Sequence, residues 1–99
     1  MSRRLEPDDL AAQLTTLPGW AGDTSGIRRT YKAEGFLEGV RLVDGAAEVA
    51  EELDHHPDID IRWTSITFAL STHSEGGVTQ LDVELAHRID AIASGLGAV

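Results

Sequence analysis

Apolar positions recur along the chain at helical spacing in three stretches and alternate with polar ones in the segments between. Leu10, Leu14 and Leu17 lie four and three apart, the period of one helix face. Pro7 in the first turn, followed by Asp8 and Asp9 at the positive dipole end, predicts where that helix begins, and Pro18-Gly19 predicts its stop. Trp20 then opens a short strand, and Gly22-Asp23-Thr24-Ser25-Gly26 reads as a turn. Ile27 to Ala33 reads as a second strand, with Ile27 and Tyr31 on one face and Arg28, Thr30 and Lys32 on the other. The two strands make a hairpin.

From Phe36 to Leu53 the apolar residues Phe36, Val40, Val43, Ala47, Ala50 and Leu53 step by three and four, which predicts an amphipathic helix with that stripe inward. Gly39 and Gly45 each cost such a helix about 1 kcal/mol relative to Ala, so packing offsets the cost or small residues serve a close approach. Pro57 biases His56 away from helical geometry and predicts the helix end. Ile59, Ile61 and Trp63 alternate with Asp58, Asp60 and Arg62, and Ile66, Phe68 and Leu70 alternate with Thr67, Ala69 and Ser71. These are two half-buried strands, paired by a tight turn near Thr64. Ser74 to Gly77 is a loop. Thr79 and Asp82 resemble a capping box at the start of a last helix whose apolar face is Leu81, Leu85, Ile89 and Ile92; Gly95 and Gly97 end it, and the tail to Val99 is expected to fray. The order α-β-β-α-β-β-α predicts an α+β fold, a four-stranded antiparallel sheet with helices packed on one face. The other sheet face or an edge strand is then free for self-association.

Composition narrows the function. The 99 residues are expected to form one domain, 1–99, small enough that a homo-oligomer would help it. The net charge is −9, from 17 acidic residues against 8 Lys plus Arg. That balance argues against nucleic acid, which is bound through clustered cations, and against anionic lipid. The chain has no cysteine, so thiol chemistry is excluded. Met1 to Asp9 lacks the apolar run of a signal peptide and no stretch is apolar enough to span a bilayer. The expected location is cytoplasmic, with no membrane partner.

The segment Glu51-Glu52-Leu53-Asp54-His55-His56-Pro57 carries the candidate chemistry. Unpaired carbonyls at a helix C-terminus favour an imidazolium. Glu51 and Glu52 lie four residues before His55 and His56, a spacing that lets carboxylates face imidazoles. With an ordinary pKa of about 6.5, histidine exchanges protons near neutrality. If the last two strands form a hairpin, the entry to Ile59 and the exit after Ser71 lie at the same sheet end, which brings His73 near His55 and His56. Simpler readings compete: a helix-terminal histidine often only caps, and three histidines with a carboxylate also suit zinc with an open position. Trp20 and Trp63 suit core or pocket wall, and Asp82 a helix cap first and a group orienting a site residue second.

The stretch from Ala50 to Pro57, with Trp63, Leu70-Ser71-Thr72-His73, Gly76 to Asp82, Leu85-Ala86 and upstream Gly19-Trp20, resembles the pterin-4a-carbinolamine dehydratases. The resemblance runs through nearly the whole chain. It departs at Ile59, where some members carry an aromatic residue, and at Val78, where leucine is commoner. It implies a hydro-lyase that dehydrates 4a-hydroxytetrahydrobiopterin, or a related 4a-hydroxytetrahydropterin, to quinonoid dihydropterin in pterin cofactor recycling, with no metal or organic cofactor. It implies His55, His56 and His73 as acid and base, in an order the sequence leaves open. Glu51 would orient His55. Asp54, Ser71 and Thr72 would line the pterin pocket with the histidines, and Pro57, Trp63 and Asp82 would support it. The resemblance also implies a pterin small molecule as substrate and a homodimer or homotetramer. The alternative is a non-catalytic dimerisation or assembly factor on the same scaffold.

Overall fold

A computed structural model describes residues 3–99. Met1 and Ser2, on which the reading of the opening segment partly rests, lie outside the described residues. The elements are α1 (Pro7–Leu14), β1 (Ala21–Asp23), β2 (Gly26–Lys32), α2 (Phe36–Leu53), β3 (Asp58–Arg62), β4 (Ser65–Leu70), a 3-10 turn at His73–Glu75 and α3 (Gln80–Gly95). The four strands form one antiparallel sheet in the order β1-β2-β4-β3. This is the expected α+β architecture. Among the described residues no helix is long and apolar enough to cross a membrane.

The helices cover one sheet face. Ile27 and Tyr31 of β2 and Ile66, Phe68 and Leu70 of β4 are fully buried there, with Leu42 and Ala46 of α2 and Val83, Leu85, Ala86 and Ile89 of α3. The opposite face carries Arg28, Thr30 and Lys32 beside Ala69, Thr67 and Ser65. Tyr31 packs edge-on to Trp20 and Phe68. Its hydroxyl donates to Asp90 Oδ1, which also accepts from Trp20 Nε1 at 2.9 Å and Arg29 Nη1 at 3.0 Å. Burial, then the adjacent Asp90 carboxylate, push the Tyr31 phenol well above its ordinary value.

Several details differ from the sequence reading. Helix α1 stops at Leu14, because the Thr15 and Thr16 hydroxyls donate to the carbonyls of Ala12 and Gln13 at 2.6 and 2.7 Å and compete with the helix ladder. Turn-like bonding continues far enough to bury Leu17. Trp20 precedes β1, and Gly22, Asp23 and Gly26 belong to the hairpin strands, leaving Thr24 and Ser25 as the turn. Asp23 Oδ1 accepts from the Ser25 backbone N–H at 2.8 Å and from its hydroxyl, and these bonds hold the carboxyl below its ordinary value.

Helix α2 has the expected ends but a rotated buried face. Gly39, Leu42, Ala46, Val49 and Ala50 point inward, whereas Phe36 is 52% exposed and Ala47 is exposed. The two glycines serve close approach: a Cβ at Gly39 would lie 3.0 Å from Ile66 Cδ1, and one at Gly45 2.9 Å from Ile92 Cγ2. Strand β3 lies at the sheet edge, so Ile59 is only half-buried and Ile61 is exposed. The C-terminal tail is tied down, Val99 N–H donating to the Lys32 carbonyl at 3.1 Å.

Candidate active site

The site is built where β2 and β3 begin and β4 ends. Helix α2 closes on Asp54, which takes a left-handed conformation (φ 49°, ψ 46°) that Asp tolerates better than most residues. The His55 N–H donates to the Ala50 carbonyl at 3.0 Å and the Asp54 N–H to that of Glu51 at 3.3 Å, the double closure of a Schellman motif. The helix stop is therefore Asp54 and not Pro57; Pro57 lies three residues past Asp54 and leads the extended chain into β3.

This turn separates the adjacent imidazoles. The His55 side chain is 11% exposed and its Nε2 lies 2.5 Å from Asp82 Oδ1. The His56 side chain is 57% exposed and its Nε2 lies 2.5 Å from Glu51 Oε2. The expected pairing of Glu51 with His55 is thus replaced by one with His56, because four-residue spacing puts side chains face to face only while the helix continues, and it has already ended.

Asp82 is fully buried in the first turn of α3. Its Oδ2 accepts from the Thr79 N–H at 2.9 Å and from Thr72 Oγ1 at 2.8 Å, while its Oδ1 meets His55. Thr72 and Thr79 share a further hydroxyl bond at 2.8 Å. The capping box anticipated from Thr79 and Asp82 is present, and the same carboxylate holds the His55 ring.

His56 and His73 line one open cavity of about 280 Å³. Ser71, Arg28 and Asp58 share its wall with them, and Ala69 lies between Arg28 and Asp58 in the sheet. The Ser71 hydroxyl is anchored on the Ser25 carbonyl at 2.9 Å. His55 does not line this cavity, and Thr72 turns its hydroxyl into the buried Asp82 cluster. Asp54 is exposed outside it. Trp63 is 76% exposed in the β3–β4 turn at the opposite end of the strands, with φ of 51°; it is neither core nor wall of this cavity, because the tight turn leaves its ring outside the sheet. Arg28 and Asp58 are lining residues that the sequence reading did not single out. Alternation had placed both on polar strand faces, but only the cross-strand register brings them to one floor.

Chemically, the cavity offers two imidazoles able to give or take a proton, a carboxylate and a guanidinium. The zinc alternative requires three converging rings, and His55 is turned into Asp82. Among the described residues no group of three or more His, Asp or Glu is placed to hold a metal ion.

The family model described as pterin 4 alpha carbinolamine dehydratase matches residues 3–92. The chain belongs to this dehydratase family. A chain of Mycolicibacterium smegmatis named as a pterin-4-alpha-carbinolamine dehydratase is 50% identical over 90 residues, covering 91% of this chain and 96% of that one. A Nocardia farcinica chain of the same name is 49% identical over 89 residues, covering 90% and 94%. Among solved structures, a transcriptional coactivator/pterin dehydratase from Brucella melitensis superposes with a TM-score of 0.89 at 35% identity, covering 92% of this chain and 99% of that one. A pterin dehydratase-like protein identified as a RuBisCO assembly factor has a TM-score of 0.62 at 21% identity, covering 75% and 86%, and shares the fold.

Proposed function

We propose that this protein dehydrates a 4a-hydroxytetrahydropterin to the quinonoid dihydropterin, with His56 and His73 as the acid–base pair. The observation that carries the reading is the convergence of these two imidazoles on one cavity in a chain of the dehydratase family. In the elimination the C4a–O bond breaks as the hydroxyl is protonated and leaves as water. The N5 proton is taken by a base, and its electrons form the C4a–N5 double bond. One imidazole gives a proton and the other takes one, so the pair returns to its starting charge once protons exchange with solvent. His55 acts from behind the wall: held by Asp82, it fixes the backbone that presents His56.

The reaction needs no redox partner and so requires only binding, orientation and proton transfer. The same reading places the protein in cytoplasmic pterin recycling, as a homodimer or homotetramer. Exposed Phe36, Leu37 and Ile61 support the self-association. The test is stopped-flow measurement of carbinolamine breakdown with purified protein. Acceleration over buffer is expected; no acceleration by well-folded protein overturns the assignment in favour of a non-catalytic dimerisation or assembly role.

A further inference from the structure

Two charged side chains of the cavity take no part in the proton transfers above. Arg28 and Asp58 both line it. Each is the cross-strand partner of Ala69, Arg28 from β2 and Asp58 from β3. The three form one row across the open sheet face, with the small residue in the middle. Neighbouring strands lie about 4.8 Å apart, so the outer two stand on opposite walls about 10 Å apart at their backbones. In the next row Thr30 and Thr67 bond to each other at 2.7 Å and spend their hydroxyls. Among the described residues neither Arg28 nor Asp58 is in an ion pair, whereas Arg29, Arg41, Arg62 and Arg88 all are. The uncommitted polarity of this floor is one cation and one anion, facing each other across a gap.

Resting on the pterin reading above, we infer that Arg28 and Asp58 are positioning residues that orient the bicyclic substrate and select its substituent. Asp58 takes the pyrimidine edge, and Arg28 takes a hydrogen-bond-accepting or anionic group carried at C6. A 2-amino-4-oxopyrimidine edge presents parallel N–H donors at N2 and N3, which match the two oxygens of a carboxylate. C6 lies at the other end of the bicycle, so the opposite wall meets whatever it carries. A guanidinium there offers donors only and suits hydroxyl, carboxylate or phosphate rather than an alkyl group. The reversed pose sets the guanidinium against the N2 and N3 donors, leaving donors facing donors. In the favoured pose C4a, at the ring fusion, falls between the two walls. There His73 follows β4 and His56 precedes β3, and both imidazoles line the cavity between those walls.

The test is equilibrium binding, read by quenching of pterin fluorescence, with 6-methylpterin, biopterin (dihydroxypropyl at C6) and pterin-6-carboxylate. Arg28→Ala is expected to weaken pterin-6-carboxylate about tenfold and 6-methylpterin less than about twofold. Biopterin follows the carboxylate if hydroxyl acceptors suffice and falls between the two if charge is read. Asp58→Asn is expected to weaken all three by a common factor of about ten. Selectivity between ligands is insensitive to a partly unfolded fraction, so a stability effect cannot imitate the Arg28→Ala pattern; the common loss in Asp58→Asn is read beside a melt showing that the variant is folded. If Arg28→Ala keeps the wild-type order and ratios, the inference fails. If the wild-type protein binds none of the three pterins, the functional reading fails instead.

Discussion

Asp82 Oδ1 lies 2.5 Å from His55 Nε2 across 27 residues of sequence, and the same carboxylate caps α3 through the Thr79 N–H. One fully buried side chain therefore joins the end of α2 to the start of α3 and secures Thr72 beside His73. Replacing it breaks three bonds together and leaves the Thr72 hydroxyl and the His55 ring without that partner. Asp82→Ala is expected to lower unfolding free energy by about 3 kcal/mol in urea denaturation, from the cap and the unpaired buried groups. A loss under about 0.5 kcal/mol, typical of an inert surface change, would show that the cluster does not hold the site.

The histidines should separate into two kinds. His56 and His73 are exposed on the cavity, so His56→Ala and His73→Ala should each reduce carbinolamine turnover about 100-fold or more while leaving thermal midpoints nearly unchanged. His55 is nearly buried on Asp82, so His55→Ala should lower both. Turnover measured beside a calorimetric melt decides it. Full activity in both His56→Ala and His73→Ala would remove the acid–base pair from the mechanism.

Sequence periodicity reached the element order and the extent of α2 because the local patterns are long and consistent. The inward face of α2 was not legible. Phe36-Val40-Val43-Ala47 and Gly39-Leu42-Ala46-Val49 are adjacent apolar stripes, and only the packed sheet and α3 choose between them. Gly39 looks like a defect in the helix until Ile66 is seen against it. The histidine pair was legible as chemistry but not as geometry. Glu51 reaches His56 because Asp54 turns left-handed, and nothing in a four-residue spacing reveals that turn. Arg28 and Asp58 meet through Ala69, a register that joins segments far apart in the chain and has no local signal.

The glycines of the helices give opposite expectations. At Gly45 a Cβ would stand 2.9 Å from Ile92 Cγ2, on a β-branched side chain with little freedom to yield. Gly45→Ala should lose about 1 kcal/mol, overpacking outweighing the gain in helix propensity. Gly95, exposed at the end of α3, has nothing within 4 Å of such a Cβ. Gly95→Ala should gain about 0.5 kcal/mol by restricting the unfolded chain. Paired denaturation curves test this: a gain in Gly45→Ala as in Gly95→Ala would mean that α2 and α3 do not approach closely at Gly45.

Alkaline titration probes the other end of the core. Tyr31 is the only tyrosine, so phenolate absorbance near 295 nm reports one residue. Burial raises its folded pKa, and the hydrogen bond to Asp90 and that residue's negative charge add to the rise. A phenol in the unfolded chain loses its proton near pH 10. Below that pH both states are protonated and the contribution of Tyr31 to stability is fully present. As pH rises past 10, only the unfolded chain is stabilised by ionising, so folding free energy falls with each further unit. The native protein should show no phenolate at pH 10 to 11, and the signal should grow in step with loss of far-ultraviolet circular dichroism. Asp90→Asn removes the negative charge while keeping an acceptor, and should bring phenolate formation to lower pH. Ionisation near pH 10 with the dichroism intact would mean that the Tyr31 hydroxyl is open to water rather than locked against Asp90.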